Sequence, residues 1–114
     1  MAELGIGELQ RRAAAILAPV AHPRALAALA LVEEAGEVAR VVLDREGYGQ
    51  PLDPARLGGE LADLVIAAAE LACRYGIDLE AACRDKLEDI ARRCPEWERR
   101  YGTALAAARA RMDA

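Results

Sequence analysis

The chain is 114 residues long, with 54% hydrophobic and 30% charged residues, a composition that excludes an intrinsically disordered chain. Aromatic residues make up only 4% and Phe is absent, which disfavours a β-sandwich core and favours close-packed helices. The formal net charge of −4 argues against a nucleic-acid partner, because binding to the phosphate backbone depends on positive charge. We therefore expect a single all-α domain over residues 1–114.

The sequence also predicts in which cellular compartment the protein is found. The longest stretches without a charged side chain are residues 13–23 and 25–32, which are too short to cross a bilayer, and the N-terminal residues lack the apolar core of a secretion signal. Three cysteines occur without the paired spacing of zinc ligands, and His22 is the only histidine. We expect a cytoplasmic protein with free thiols and without a membrane partner.

The first part of the chain predicts two helices. Apolar residues recur on one stripe of residues 3–18, which predicts the first helix. The segment PVAHP, residues 19–23, contains two prolines and predicts a break. A wide apolar stripe then predicts a second helix from Pro23 or Arg24 to about residue 45.

A loop and a third helix follow. Residues 46–53, EGYGQPLD, combine two glycines, a proline and a turn-type aspartate, and they predict the clearest loop of the chain. Asp53 before Pro54 predicts an N-cap followed by a first-turn proline. Gly76 is well placed to end this helix, which we expect over about residues 54–75.

The C-terminal part predicts a fourth helix and a tail. Asp78 predicts the N-cap of a helix over about residues 79–93, and Pro95 predicts its end. Residues 96–112 predict a separate helical tail that is interrupted at Gly102. Short connections favour antiparallel neighbours, so the predicted fold is an antiparallel four-helix bundle with a C-terminal helical tail.

Two acidic clusters interrupt otherwise apolar helices. Glu33, Glu34 and Glu37 lie within the second helix, and Glu60 and Asp63 lie within the third. Spacings of three or four residues place side chains on the same helical face, so each cluster presents neighbouring carboxylates. Either these residues form a solvated acidic face, or the two clusters share a bound cation.

The local sequence favours the shared cation. Glu34 and Asp63 have no Lys or Arg three or four residues away, whereas Arg40 lies one turn from Glu37 and Arg56 lies one turn from Glu60. Unpaired carboxylates on apolar helices are costly unless they bind a metal ion. An all-oxygen ligand set indicates a hard divalent cation, and Mg²⁺ suits a few carboxylates combined with substrate phosphates.

These clusters and their surroundings resemble a known family. The pattern EExxE from residue 33 and the pattern ExxD from residue 60 resemble the signature of MazG-like, all-α nucleoside triphosphate pyrophosphohydrolases. The similarity includes LVEEAGEVARVV and LGGELADLVIAAAELACRYGIDLEAACRDKL and covers about residues 26–93. It implies an enzyme that uses Mg²⁺, with Mn²⁺ as a substitute ion, and splits an NTP or dNTP into the monophosphate and pyrophosphate.

The resemblance also implies roles for single residues. By position, the metal ligands would be Glu34, Glu37, Glu60 and Asp63. Glu33 would lie beside them as the catalytic residue that orients or deprotonates the attacking water, or that contacts a further metal ion.

Family members tend to carry Lys, Asn and Arg on the helix after ExxD, where this chain reads KLEDIARR. Lys86 and either Arg92 or Arg93 match the cations and would bind substrate phosphates, whereas Ile90 departs from the usual Asn. The alternative is that Lys86 is a surface partner of Asp89 and that the arginines complement a helix dipole.

Other interpretations stay open. Phosphoribosyl-ATP pyrophosphohydrolases share the two acidic patterns, and a non-catalytic helical interaction module is a further alternative. Apolar helix faces and the resemblance both predict a homodimer or homotetramer. Base selectivity is expected to depend on the first helix and on the loop at residues 46–53. Gly58 and Gly59 are expected to allow close helix approach behind the metal site.

Overall fold

The computed structural model describes residues 2–113, which form helices joined by short connections. The α-helices are α1 (Ile6–Leu17), α2 (Arg24–Glu46), α3 (Pro54–Arg74) and α4 (Leu79–Met112). No strand occurs among the described residues, so the expected all-α fold is confirmed. The chain divides into two compact units, Met1–Glu80 and Ala81–Ala114.

The two ends of α3 form as the sequence predicts. Asp53 Oδ1 accepts a hydrogen bond from the Ala55 N–H at 3.0 Å, and Pro54 occupies the first helical position. At the other end Gly76 has φ +67°, a left-handed conformation that favours glycine. The Ile77 N–H donates to Ala72 O at 2.8 Å, which completes a Schellman motif and ends the helix.

Helix α3 lies at the centre of the first unit, where it packs against both α1 and α2. The start of α2 meets the end of α3, because Arg74 Nη1 donates to His22 O at 2.7 Å. The end of α2 meets the start of α3 through an ion pair between Asp44 and Arg56. Helices α2 and α3 are therefore antiparallel.

The buried core of this unit consists of small side chains. Its members are Ala13, Ala27, Val41, Ala69 and Ala72. Small residues let helix backbones approach closely, which is how a chain without Phe packs its helices. The larger apolar side chains stay partly or mostly exposed, with Leu29 at 63% and Val32 at 68% on α2.

Helix α1 is held to the turn after α3 by one polar side chain. Gln10 Nε2 donates to Ile77 O at 2.7 Å, and Gln10 Oε1 accepts from the Leu79 N–H at 3.3 Å. The helix is shorter than the predicted 3–18, and a 3₁₀ turn over Ala18–Val20 begins the expected break. Glutamine thus satisfies both a free carbonyl and the first N–H of α4.

The predicted end of the fourth helix is wrong. Helix α4 continues through Pro95 and Gly102 to Met112, so residues 96–112 are not a separate tail. Proline removes only one helical hydrogen bond. A side-chain contact within α4 also joins residues on either side of Pro95. The Arg93 guanidinium lies 5.6 Å from the centre of the Trp97 ring, one turn further along.

Two further expectations can be compared with the described residues. A Cβ at Gly58 or Gly59 would meet no atom within 4 Å, so these glycines do not mediate a close helix approach within the described chain. No single helix among residues 2–113 has the length and apolar character to cross a membrane. The bent pair Ile6–Val20 and Arg24–Glu46 meets that criterion only when taken together.

Candidate metal centre

Three of the five predicted carboxylates come together between α2 and α3. One oxygen from each of Glu34, Glu60 and Asp63 lies within 4.8 Å of the corresponding oxygens of the other two. Glu34 and Glu60 are half-buried, whereas Asp63 is exposed. Glu60 and Asp63 share one face of α3 because they are three residues apart, and the antiparallel packing brings Glu34 opposite them. We call these three residues the carboxylate cluster.

The cluster carries negative charge, and no cation among residues 2–113 forms an ion pair with it. Partial burial is the largest cause that raises the pKa of Glu34 above its ordinary value. The remaining causes, in decreasing order, are the negative charges of Asp63, Glu33, Glu60 and Glu37. Carboxylates that converge in this way disfavour the charged form of Glu34, and a bound cation would favour it, so the cluster is a candidate cation site.

Two arginines that could have neutralised the cluster are engaged elsewhere. Arg40 lies one turn from Glu37, yet its Nε pairs with Asp44 Oδ1 at 3.0 Å. Arg56 lies one turn before Glu60, yet its Nη1 lies 3.8 Å from Asp44 Oδ2. Asp44 thus binds both cations, and neither arginine pairs with Glu37 or Glu60.

Glu33 and Glu37 do not belong to the group whose oxygens lie mutually within 4.8 Å. Both side chains are exposed on α2. Both are nevertheless close enough for their charge to raise the pKa of Glu34. They therefore flank the carboxylate cluster without belonging to it.

The predicted phosphate-binding residues all lie on α4, in the second unit. Asp89 pairs with Arg92 and Arg93, each at 3.3 Å, and not with Lys86 as the surface interpretation expected. Lys86 forms no ion pair among residues 2–113 and is exposed, so its ammonium group is free for a ligand.

A cavity of about 250 Å³ adjoins the cluster and contains a residue that the sequence did not assign to the site. Glu34 and Asp63 line it together with His22, which lies in the break before α2. Nothing in the spacing of His22 marks it as a site residue. Only the turn between the first two helices brings it beside carboxylates that lie 12 and 41 residues further on.

No curated protein and no solved structure matches the chain. The profile of the MazG nucleotide pyrophosphohydrolase domain matches residues 23–97, which include both acidic patterns and most of the sequence. This match covers α2 and α3, the helices that carry the carboxylate cluster. The chain belongs to the MazG nucleotide pyrophosphohydrolase domain family.

Proposed function

We propose that this protein is a Mg²⁺-dependent nucleoside triphosphate pyrophosphohydrolase that removes surplus or damaged nucleotides. The observation that carries the proposal is the carboxylate cluster, whose members Glu34, Glu60 and Asp63 lie mutually within 4.8 Å. Its position on the two helices matched by the family profile supports a role in the reaction of that family.

The donor set suits a hard cation. Carboxylate oxygens are ligands for Mg²⁺, Mn²⁺ and Ca²⁺, and three of them leave positions for water and phosphate oxygens. Partial burial and the neighbouring carboxylates raise the pKa of Glu34, and a bound cation would favour the charged form of this group. Mg²⁺ bound here would neutralise the charge of the triphosphate during attack at phosphorus.

In the proposed reaction, water attacks the α-phosphorus of an NTP or dNTP. A bond forms between the water oxygen and that phosphorus, and the bond to the bridging oxygen of the β-phosphate breaks. The products are the monophosphate and pyrophosphate. Glu33 is proposed to orient the water and accept its proton, because this exposed carboxylate flanks the cluster. Glu37 is proposed as a fourth metal ligand.

Residues of α4 are proposed to bind the departing phosphates. Lys86 is the first candidate, since it forms no ion pair among the described residues. Arg92 and Arg93 are the second candidates, and each must exchange its bond to Asp89 for a bond to phosphate.

A homodimer or homotetramer is proposed as the active assembly. Leu29 and Val32 on α2 expose 63% and 68% of their surface, and no large side chain within the described part of the chain is fully buried. Apolar area of this kind is more stable when a second copy covers it. Sedimentation velocity tests this proposal, and a fully active monomer would contradict it.

The decisive experiment is pyrophosphate release from a panel of NTPs, dNTPs and phosphoribosyl-ATP, with Mg²⁺ and with EDTA. We expect Mg²⁺-dependent release from at least one nucleoside triphosphate. Asp63→Asn and Glu60→Gln should each lower kcat/KM by at least about a hundredfold. Glu46→Gln, an exposed acid at the end of α2 and outside the carboxylate cluster, is the control and should remain active.

If pyrophosphate is released only from phosphoribosyl-ATP, the substrate is phosphoribosyl-ATP and not a nucleoside triphosphate. No release from any nucleotide would favour the non-catalytic module. Full activity of Asp63→Asn would contradict the assigned metal ligands.

A further inference from the structure

A second cavity, between α1 and α3, is not explained by metal binding. Its volume is about 370 Å³, within the range of small-molecule sites. Most of its wall is apolar, and its lining includes Leu9, Ile16, Leu17 and Ile66. Among the described residues, the only polar side chains that line it are Arg12 and Asp63.

The two polar residues indicate how a nucleotide would be oriented in this cavity. Asp63 belongs to the carboxylate cluster, so one side of the cavity adjoins the site at which a triphosphate is proposed to bind. Arg12 is exposed and forms no ion pair among residues 2–113. Its guanidinium is therefore free to donate hydrogen bonds to a ligand that enters between the apolar walls.

We propose that this cavity holds the base of the nucleotide and that Arg12 selects a 6-oxopurine, such as guanine or hypoxanthine. This inference rests on the proposed function. The apolar walls accommodate the faces of a flat ring. A guanidinium only donates hydrogen bonds, and a 6-oxopurine offers two adjacent acceptors, O6 and N7. Adenine presents an amino donor in place of O6, so Arg12 meets one acceptor and one opposing donor.

The smaller cavity beside the cluster is a poorer site for a base. Its wall includes the carboxylates of Glu34, Asp63 and Glu70, and Glu70 lies 3.8 Å from Arg74 Nη1. These groups favour cations and ordered water over an apolar ring face. His22 also lines this cavity, so His22→Ala tests whether the base binds here instead.

The first test measures binding without metal or turnover. Inosine and adenosine differ at position 6 of the base, where inosine has an oxo group and adenosine an amino group. Both are titrated into the metal-free protein and followed by NMR. We expect inosine to bind at least about fivefold more tightly. Arg12→Ala should remove this preference, whereas Arg11→Ala, its neighbour outside the cavity lining, should retain it.

Equal binding of the two nucleosides to the unmodified protein would overturn the inference. An equal loss of preference in the Arg11 variant, or a loss in His22→Ala with Arg12→Ala unaffected, would also overturn it. Arg12 is exposed, so thermal unfolding should show Arg12→Ala folded with little change in stability.

The second test uses Mg²⁺ and compares kcat/KM for dITP and dATP. We expect a ratio of at least about five that falls towards one in Arg12→Ala. Hydrolysis with no preference for dITP overturns the base assignment and leaves the proposed function intact. Preferential inosine binding without hydrolysis of any nucleotide supports the base site and contradicts the proposed function.

Discussion

Arg56 on α3 and Asp44 on α2 form an ion pair of 3.8 Å that ties the end of one helix to the start of the next. Asp44 also binds Arg40 at 3.0 Å. The aspartate therefore engages the two cations that the sequence places within one turn of Glu37 and Glu60. Because neither arginine pairs with those glutamates, the negative charge of the carboxylate cluster remains available to a metal ion.

The first prediction concerns Asp44→Asn. The substitution releases Arg40 and Arg56, which can then turn towards the acidic residues on α2 and α3. Each exposed ion pair of this kind contributes about 0.2–1 kcal/mol, so the affinity for Mg²⁺ should fall by about two- to tenfold. Isothermal titration calorimetry with Mg²⁺ measures the change.

The control for Asp44→Asn removes both arginines as well. The triple variant with Arg40→Gln and Arg56→Gln should recover the affinity of the unmodified protein, since no released cation remains. Unchanged affinity in the single variant would show that the arginines do not compete for the cluster. A loss of affinity that persists in the triple variant would assign a more direct role to Asp44.

The second prediction follows from the raised pKa of Glu34. The folded protein holds the proton on this group more tightly than the unfolded chain does. The ionised form therefore destabilises the metal-free fold at pH 7, and this penalty disappears as pH falls below the ordinary value of 4.5. Glu34→Gln should be more stable than the unmodified protein at pH 7 in EDTA, and the difference should vanish near pH 4.

Urea unfolding at the two pH values measures this difference. Glu46→Gln serves as the matched control and should show no such pH-dependent gain. Added Mg²⁺ should reverse the order at pH 7, because the ion stabilises the protein that retains all three ligands. Lower stability of Glu34→Gln in EDTA at pH 7 would contradict the claim that ionised Glu34 destabilises the metal-free fold.

Local sequence rules predicted some helix ends and failed at another. Asp53 and Gly76 act through contacts with residues two or three positions away, so their effect is readable from the sequence. Pro95 follows the same kind of rule, yet α4 continues through it. The contact between Arg93 and Trp97 depends on side-chain placement that a list of helix breakers does not contain.

The candidate site shows the same limit. Helical spacing alone places Glu60 and Asp63 together. The choice of Glu34 as their partner, with Glu33 and Glu37 outside the group, depends on how α2 lies against α3. The position of Arg12 in a cavity with Asp63 depends on α1 in the same way. Contacts between distant segments set these features, and no motif spacing encodes them.

The third prediction concerns Gly58 in the interior of α3. A Cβ at this position would meet no atom within 4 Å, and alanine is favoured over glycine in helices. Gly58→Ala should therefore stabilise the protein by about 0.5–1 kcal/mol in urea unfolding. Alanine at Gly47 is the contrasting control, because its Cβ would lie 2.9 Å from Leu43 O and should destabilise the fold. A loss of stability in Gly58→Ala, together with a smaller assembly, would show that a second copy packs on this surface.

The fourth prediction tests the cations of α4. Lys86 is free of ion pairs among the described residues, whereas Arg92 and Arg93 share Asp89. A hydrogen bond to a charged group contributes about 1.5–3 kcal/mol, so Lys86→Ala should lower kcat/KM by about tenfold or more. Arg92→Ala should have a smaller effect, because that arginine must first leave Asp89. Lys86→Arg should recover most of the activity, since it restores the positive charge. Pyrophosphate release measures these activities. Full activity of Lys86→Ala would show that Lys86 does not bind the phosphates and that another cation does.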